Sequence, residues 1–168
     1  LLVNKIAGYK KKKSFFIIFF ALAFGVVGMA QQAKYIFYFI GDGMGVNQVN
    51  GTETYLAALE GRIGITPLCF TQFPYTGLVT TFSATNGVTD SAAGGTALAV
   101  GNKTKNGAIG VKADLTTNVK SVAEKADASG KAVGIATSVS IDHATPASFY
   151  AHVRDRGMYH QIGKQLIA

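Results

Sequence analysis

The sequence predicts an α/β fold, because apolar runs suited to a sheet buried on both faces alternate with segments of helical periodicity, and glycines and prolines mark the changes. Two stretches carry this prediction. Residues 34–40 form an unbroken aromatic and β-branched run ended by glycine. Residues 131–138, with Ala132-Val133-Gly134-Ile135-Ala136 at their centre, follow a helix-like segment and complete a strand, helix, strand unit of the parallel type. A length of 168 residues allows one ordinary domain with a hydrophobic core.

In chain order, residues 1–30 differ in kind from the rest. Lys10 to Lys13 run directly into an apolar stretch at 15–27, and Gly28-Met29-Ala30 follows. A basic patch, a short apolar core and small residues at the positions a signal peptidase reads predict a secretory signal peptide over 1–30, with Gln31 opening the mature chain. The stretch is short for a membrane-spanning helix, and retention as an uncleaved anchor is the alternative. The chain has 16 lysines and arginines against 9 aspartates and glutamates, a formal charge of +7. Lys5 and Lys10 to Lys13 fall inside the signal with no acidic residue among them, leaving 11 basic against 9 acidic residues, or +2. That balance gives no case for a nucleic-acid surface. Cys69 is the single cysteine, so the sequence predicts no internal disulfide, no cysteine-based zinc site and no lipid-anchored cysteine.

The mature chain begins with the buried strand at 34–40, stopped by Gly41-Asp42-Gly43-Met44-Gly45. Residues 46–60 have helical periodicity, with Tyr55, Leu56 and Leu59 on one side and Gly61 as C-cap. Residues 76–83, rich in threonine and valine, read as a strand. Thr89-Asp90-Ser91 then leads into a helix of alanine and glycine that Gly101 ends. Residues 102–111 read as an exposed loop or hairpin, and 117–128 as an amphipathic helix with Val119, Val122, Ala123 and Ala126 inward and Gly130 as its cap. After the strand at 131–138 comes a polar loop to Pro146, which begins a helix whose first turns are 147–153. The chain opens without methionine and closes at Gln165-Leu166-Ile167-Ala168 inside an amphipathic pattern, so both ends read as edges of a fragment.

In open α/β sheets, working groups gather where strands end, which directs attention to three places. Asp42 sits between two glycines that let backbone come close to whatever its carboxylate holds, and a carboxylate there suits a hard or borderline cation. A tight Asp-Gly turn explains the same residues. A dinucleotide fingerprint is not met, since the third glycine falls at Gly45 where Val46 would be needed. Ser91 heads a small-residue helix, where anions and an alkoxide are favoured and a serine can attack phosphorus once a metal or base removes its proton. Asp90 or Ser91 acting only as an N-cap is the plainer account. His143 and Thr145 lie two residues apart before Pro146, an arrangement that points alternate side chains the same way; a helix cap and a solvated histidine explain it equally. Arg156 offers a two-pronged clamp for phosphate, with Arg154 competing for the role.

Three blocks taken together resemble the alkaline phosphatase family: Tyr38-Phe39-Ile40-Gly41-Asp42-Gly43-Met44-Gly45, then Val88-Thr89-Asp90-Ser91-Ala92-Ala93-Gly94-Gly95-Thr96-Ala97, then His143-Ala144-Thr145-Pro146-Ala147 with Tyr150-Ala151-His152 and Arg156. The resemblance runs from Tyr35 almost to the end. It implies a three-layer α/β/α sandwich with a mostly parallel central sheet, incomplete at the C-terminus, with residues 31–168 as the N-terminal part of the catalytic domain. It further implies hydrolysis of phosphate monoesters through a phosphoserine on Ser91, two zinc ions and one magnesium ion. On this likeness Ser91 is also a zinc ligand, Asp42 bridges zinc and magnesium, Thr145 binds magnesium, and Arg156 binds two phosphate oxygens with Asp90 holding it. Position 143 is aspartate or histidine in the family, and His143 binds metal directly or through water. Further ligands would lie beyond Ala168. The full-length protein would then be an exported enzyme, periplasmic or secreted, forming a homodimer, acting on small phosphate monoesters and leaving no membrane anchor after signal cleavage. A sister hydrolase of the same superfamily, such as a sulfatase or phosphodiesterase, and a secreted binding module without catalysis are the competing readings.

Overall fold

A computed structural model describes residues 33–167, so the signal peptide expected over 1–30 lies outside the described residues. The chain divides into two compact units, Leu1–Ile40 and Gly41–Ala168. In the first, the described residues 33–40 hold no helix or ladder, and Tyr35, Ile36, Phe37 and Phe39 are exposed.

The second unit is built on short helices. The first, α1 (Val46–Leu59), starts where the Gln48 side chain accepts from the Gly45 N–H, 3.0 Å. It ends in a complete Schellman motif: Gly61 takes φ +68, its N–H bonds back to Ala58 and that of Arg62 to Ala57. The expected C-cap is therefore in place, but the apolar side that carries Tyr55, Leu56 and Leu59 is not the buried one. Glu53 and Ala57 are buried, whereas Tyr55 and Leu59 are exposed. Glu53 accepts from the Leu68 N–H and the Thr71 hydroxyl, which fastens the 3-10 turn Cys69–Gln72 to the helix and satisfies the buried carboxylate. Burial here follows a polar tether rather than the apolar stripe.

The helix α2 (Ser91–Val100) has the predicted bounds, from its Asp90 N-cap to Gly101 at φ +75. Its small residues let it pack tightly: Ala92, Ala93, Gly95, Thr96, Ala99 and Val100 are all buried. It contacts α3 (Val122–Asp127) and α4 (Ala144–Ala147). A last helix, α5 (Tyr159–Leu166), buries Ile162 completely. Ala92, Ile109, Ala144, Ala147, Ala151, Val153 and Ile162 make the core, with Tyr150 and Met158 packed against it.

Four sequence expectations need correction. The helix expected over 117–128 begins only at Val122, because Ser121 and Glu124 form a reciprocal capping box there. Residues before it turn back instead: Asp114 accepts from the N–H groups of Thr116 and Thr117, and Val111 bridges Asn118. The loop at 102–111 is exposed only at Asn102 and Lys105, for Thr104, Ala108 and Ile109 are fully buried and Ile109 exchanges both backbone hydrogen bonds with Val153, 2.9 Å each. The helix expected to start at Pro146 and continue through 147–153 is instead a single turn, Ala144–Ala147, with Pro146 inside it where its missing N–H costs nothing, and no helix follows over 148–153. Finally, none of the runs 34–40, 76–83 and 131–138 joins a ladder; among the described residues the pairing consists of isolated antiparallel bridges. A helix satisfies its own backbone, but a strand is completed only by a lateral neighbour, and these runs leave Phe37, Leu78, Val79 and Val133 exposed.

Candidate active site

The site is assembled from three turns and one helix head. Asp42 projects from a turn closed by the Met44 N–H on the Gly41 carbonyl, with Gly43 at φ +70, a conformation that glycine adopts without strain. Its carboxylate is exposed and reaches two hydroxyls far away in sequence. The Ser91 Oγ donates to Oδ1 at 3.3 Å, and the Thr145 Oγ1 donates to Oδ2 at 2.8 Å. Ser91 and Thr145 are half-buried, so none of the three residues is closed off from solvent.

The approach of Ser91 to Thr145 depends on how closely α2 lies on α4. At Gly95 a Cβ would sit 2.7 Å from the Ser148 Oγ and 3.6 Å from the Thr145 Cα. Ser148 cannot swing away freely, because it is buried and its hydroxyl donates to the Ala144 carbonyl, 2.8 Å. The glycine thus sets the spacing that lets one carboxylate touch both hydroxyls.

Asp90 has two tasks. Its Oδ1 accepts from the Ala93 N–H at 2.9 Å and caps α2, while Oδ2 accepts from the Gly107 N–H at 3.0 Å and from Arg156 Nη1 at 3.2 Å. Partial burial opposes its ionisation, and the N–H groups of Ala93 and Gly107 with the Arg156 guanidinium outweigh that, holding the carboxyl below the ordinary aspartate range. The cap and the ion-pair accounts of Asp90 are both correct. Arg156, not the exposed Arg154, belongs to the site. Its Nη2 meets the His143 Nε2 at 3.2 Å. A guanidinium has only donors, so Nε2 is the acceptor and the proton of the neutral ring is assigned to Nδ1, which is buried without a hydrogen-bond partner.

The structure therefore brings together six of the residues singled out from sequence, Asp42, Ser91 and Thr145 around one carboxylate and Asp90, His143 and Arg156 around one guanidinium, and leaves Arg154 outside. Among the described residues no group of three or more His, Cys, Asp or Glu side chains converges on a metal position. The donor set at Asp42 is one carboxylate and two hydroxyls.

The profile of the family described as Alkaline phosphatase matches residues 33–166. The chain belongs to the alkaline phosphatase family. It is 39% identical over 134 residues to Alkaline phosphatase 4 of Drosophila melanogaster, covering 75% of this chain and 22% of that protein. Among solved structures, the alkaline phosphatase from the Antarctic bacterium TAB5 superposes with a TM-score of 0.67 at 41% identity, over 76% of this chain and 34% of its own. A histidine variant of that phosphatase, with Mg bound in its M3 site, matches with a TM-score of 0.56 and 46% identity over 58% of this chain and 28% of its own. The chain thus has an alkaline phosphatase fold and spans only a part of the length of these relatives.

Several supporting residues carry only a weak signal in the sequence. Gly107 and Asn106 stand behind Asp90, with an Asn-Gly dipeptide as their only signal, and Gly95 is hidden among other small residues. Glu124 and His152 form a second polar strut: His152 Nε2 pairs with Glu124 at 2.8 Å and its Nδ1 with the Gly110 carbonyl at 2.7 Å. Partial burial opposes ionisation of Glu124, and the Ser121 N–H and His152 outweigh it, so its carboxyl too is held low.

Proposed function

We propose that this chain is the N-terminal part of an exported phosphatase that hydrolyses phosphate monoesters through a phosphoserine on Ser91. The observation that carries the reading is the Asp42 carboxylate shared by the Ser91 and Thr145 hydroxyls, with the Asp90–Arg156 pair beside it. The three runs at 34–40, 76–83 and 131–138 are, on this reading, strands of a three-layer α/β/α sandwich whose sheet is completed by the longer protein, and residues 1–30 are a signal peptide removed on export to the periplasm or outside the cell. No helix among the described residues is long and apolar enough to cross a membrane.

The chemistry follows from the positions of the side chains. Ser91 is the first residue of α2, so its oxygen lies at the positive end of the helix, where an alkoxide and a phosphoryl group are both stabilised. Arg156 binds two phosphoryl oxygens and, held by Asp90, presents them to Ser91 in one orientation. The serine oxygen forms a bond to phosphorus as the P–O bond to the ester oxygen breaks, and the proton lost by the serine hydroxyl leaves with that oxygen as the alcohol. Water then attacks the same phosphorus opposite the serine oxygen; the P–O bond to Ser91 breaks, the proton lost by the water returns to Ser91, and inorganic phosphate is released.

The oxygen donors fit divalent metal. Asp42 with Ser91 and Asp42 with Thr145 are equally hard oxygen pairs, and the assignment of zinc to the first and magnesium to the second rests on the family resemblance. His143, whose Nε2 faces the Arg156 guanidinium, would serve a metal directly through that nitrogen or through a water molecule. Two zinc ions and one magnesium ion, bound here with ligands from the longer protein, would lower the pKa of the serine hydroxyl and of a water and neutralise phosphate charge. The full-length enzyme is proposed to work as a homodimer on small monoesters.

The test uses the full-length protein. Ser91→Ala is expected to lower phosphate monoester turnover by about 10³-fold or more, and incubation with labelled phosphate in acid should mark Ser91. Undiminished turnover in that variant would remove the serine from the mechanism. Faster cleavage of a sulfate ester or a phosphodiester would favour the sister hydrolases, and no hydrolysis of any ester a binding module.

A further inference from the structure

The guanidinium of Arg156 does not stand on Asp90 alone. The Gly107 N–H donates to the same Asp90 Oδ2 that takes the arginine, 3.0 Å, while the Gly107 carbonyl accepts from the Arg156 backbone N–H, 2.7 Å. One residue therefore holds Arg156 at both ends: directly at its main chain, and through the carboxylate at its head group. Next to it, Asn106 donates from Nδ2 to the Val88 carbonyl at 3.0 Å, tying the turn to the chain two residues before Asp90. Gly107 adopts φ +87, and a Cβ built there would meet nothing within 4 Å. Glycine is thus required for its backbone conformation and not for space, which marks the turn as a device for aiming an N–H and a C=O.

We propose that the Asn106-Gly107 turn is the positioning element of Arg156, fixing its guanidinium relative to the head of the helix that carries Ser91. This rests on the phosphate-binding reading above. An arginine side chain has many rotamers, and a two-pronged grip on a phosphoryl group works only in one of them, so a support that fixes main chain and head group together lowers the ordering needed on binding. Because Asp90 also caps α2 through Oδ1, nucleophile and clamp share one reference point. Gly107 touches no substrate; it acts through Arg156.

The open space around Gly107 gives a clean experiment in the full-length protein. Valine and asparagine share a Cβ that meets nothing within 4 Å, but asparagine tolerates a left-handed φ and valine does not. Gly107→Val is expected to weaken inorganic phosphate binding, and to raise KM more than it lowers kcat, by about tenfold, with Gly107→Asn recovering most of the loss. In an Arg156→Ala background neither substitution should change phosphate affinity by more than about twofold, the signature of residues acting as one unit. The Arg156 Nε–H resonance should move in Gly107→Val and return in Gly107→Asn, a readout that needs no catalysis. Equal losses in both backgrounds, or an unmoved resonance, would overturn the proposal. Should the parent protein bind no phosphate at all, the functional reading fails while the resonance still decides the positioning.

Discussion

Asp90 shows how much one side chain can be asked to do. An asparagine in its place keeps the Oδ1 acceptor that caps α2, since asparagine is as good a cap as aspartate. At the other position it sets an amide donor against two donors, Gly107 N–H and Arg156 Nη1. Asp90→Asn is therefore expected to leave the helix in place, cost about 1–2 kcal/mol of stability and raise KM for a monoester in the full-length protein. The acid limb offers a further check. Because the folded-state pKa lies below the unfolded value of ~3.9, ionised Asp90 stabilises the fold above that value, and the contribution fades as pH falls from about 4 through the folded-state pKa. Melting temperatures followed from pH 6 downward should fall less steeply below pH 4 in Asp90→Asn than in the parent. Asp90 and Ser91 were legible in the sequence because a helix cap is a local pattern. The role of Gly107 was not, since its hydrogen-bond acceptor Asp90 lies 17 residues away.

Between elements, the spacing of α2 and α4 decides whether Asp42 can serve two hydroxyls, and neighbouring glycines test it. A Cβ at Gly94 would meet Thr89 at 3.6 Å, an ordinary contact, so Gly94→Ala should gain about 0.5–1 kcal/mol of helix propensity. At Gly95 the same gain is opposed by overpacking of about 1–3 kcal/mol against the pinned Ser148 hydroxyl. Thermal unfolding should place Gly94→Ala above the parent and Gly95→Ala below it, and only the second should lose turnover, as Thr145 is pushed from Asp42. Gly110 is stricter still: at φ +62 a Cβ would lie 2.1 Å from the Ala151 carbonyl oxygen, so Gly110→Ala should unfold the junction of Ile109 with Val153. The bounds of α2 followed from Asp90 and Gly101, whereas the apolar side of α1 did not disclose its buried face, because a carboxylate, Glu53, is what its neighbours hold.

For the molecule as a whole, the exposed apolar runs set an expectation. Residues 31–168 expressed alone leave Phe37, Leu78, Val79 and Val133 in water, and should bind a hydrophobic dye, aggregate and show no zinc-dependent monoester turnover. Measurable turnover by that segment would mean that this chain needs no further ligands. The exposure also explains why strands were the weakest part of the sequence reading: an apolar β-branched run states a preference, and the pairing that makes it a strand requires a second segment.

By itself the sequence determined the family, the candidate residues to look for at a site and the helix that begins at Ser91, because each is written in contiguous residues whose chemistry is local. Tertiary structure alone decided that Asp42 reaches both Ser91 and Thr145, that Arg156 rather than Arg154 meets Asp90, and that Gly95 and Gly107 set those meetings. The reason is geometric: hydrogen bonds act over about 3 Å, and bringing groups a hundred residues apart within that reach depends on how backbones pack, which no local pattern records.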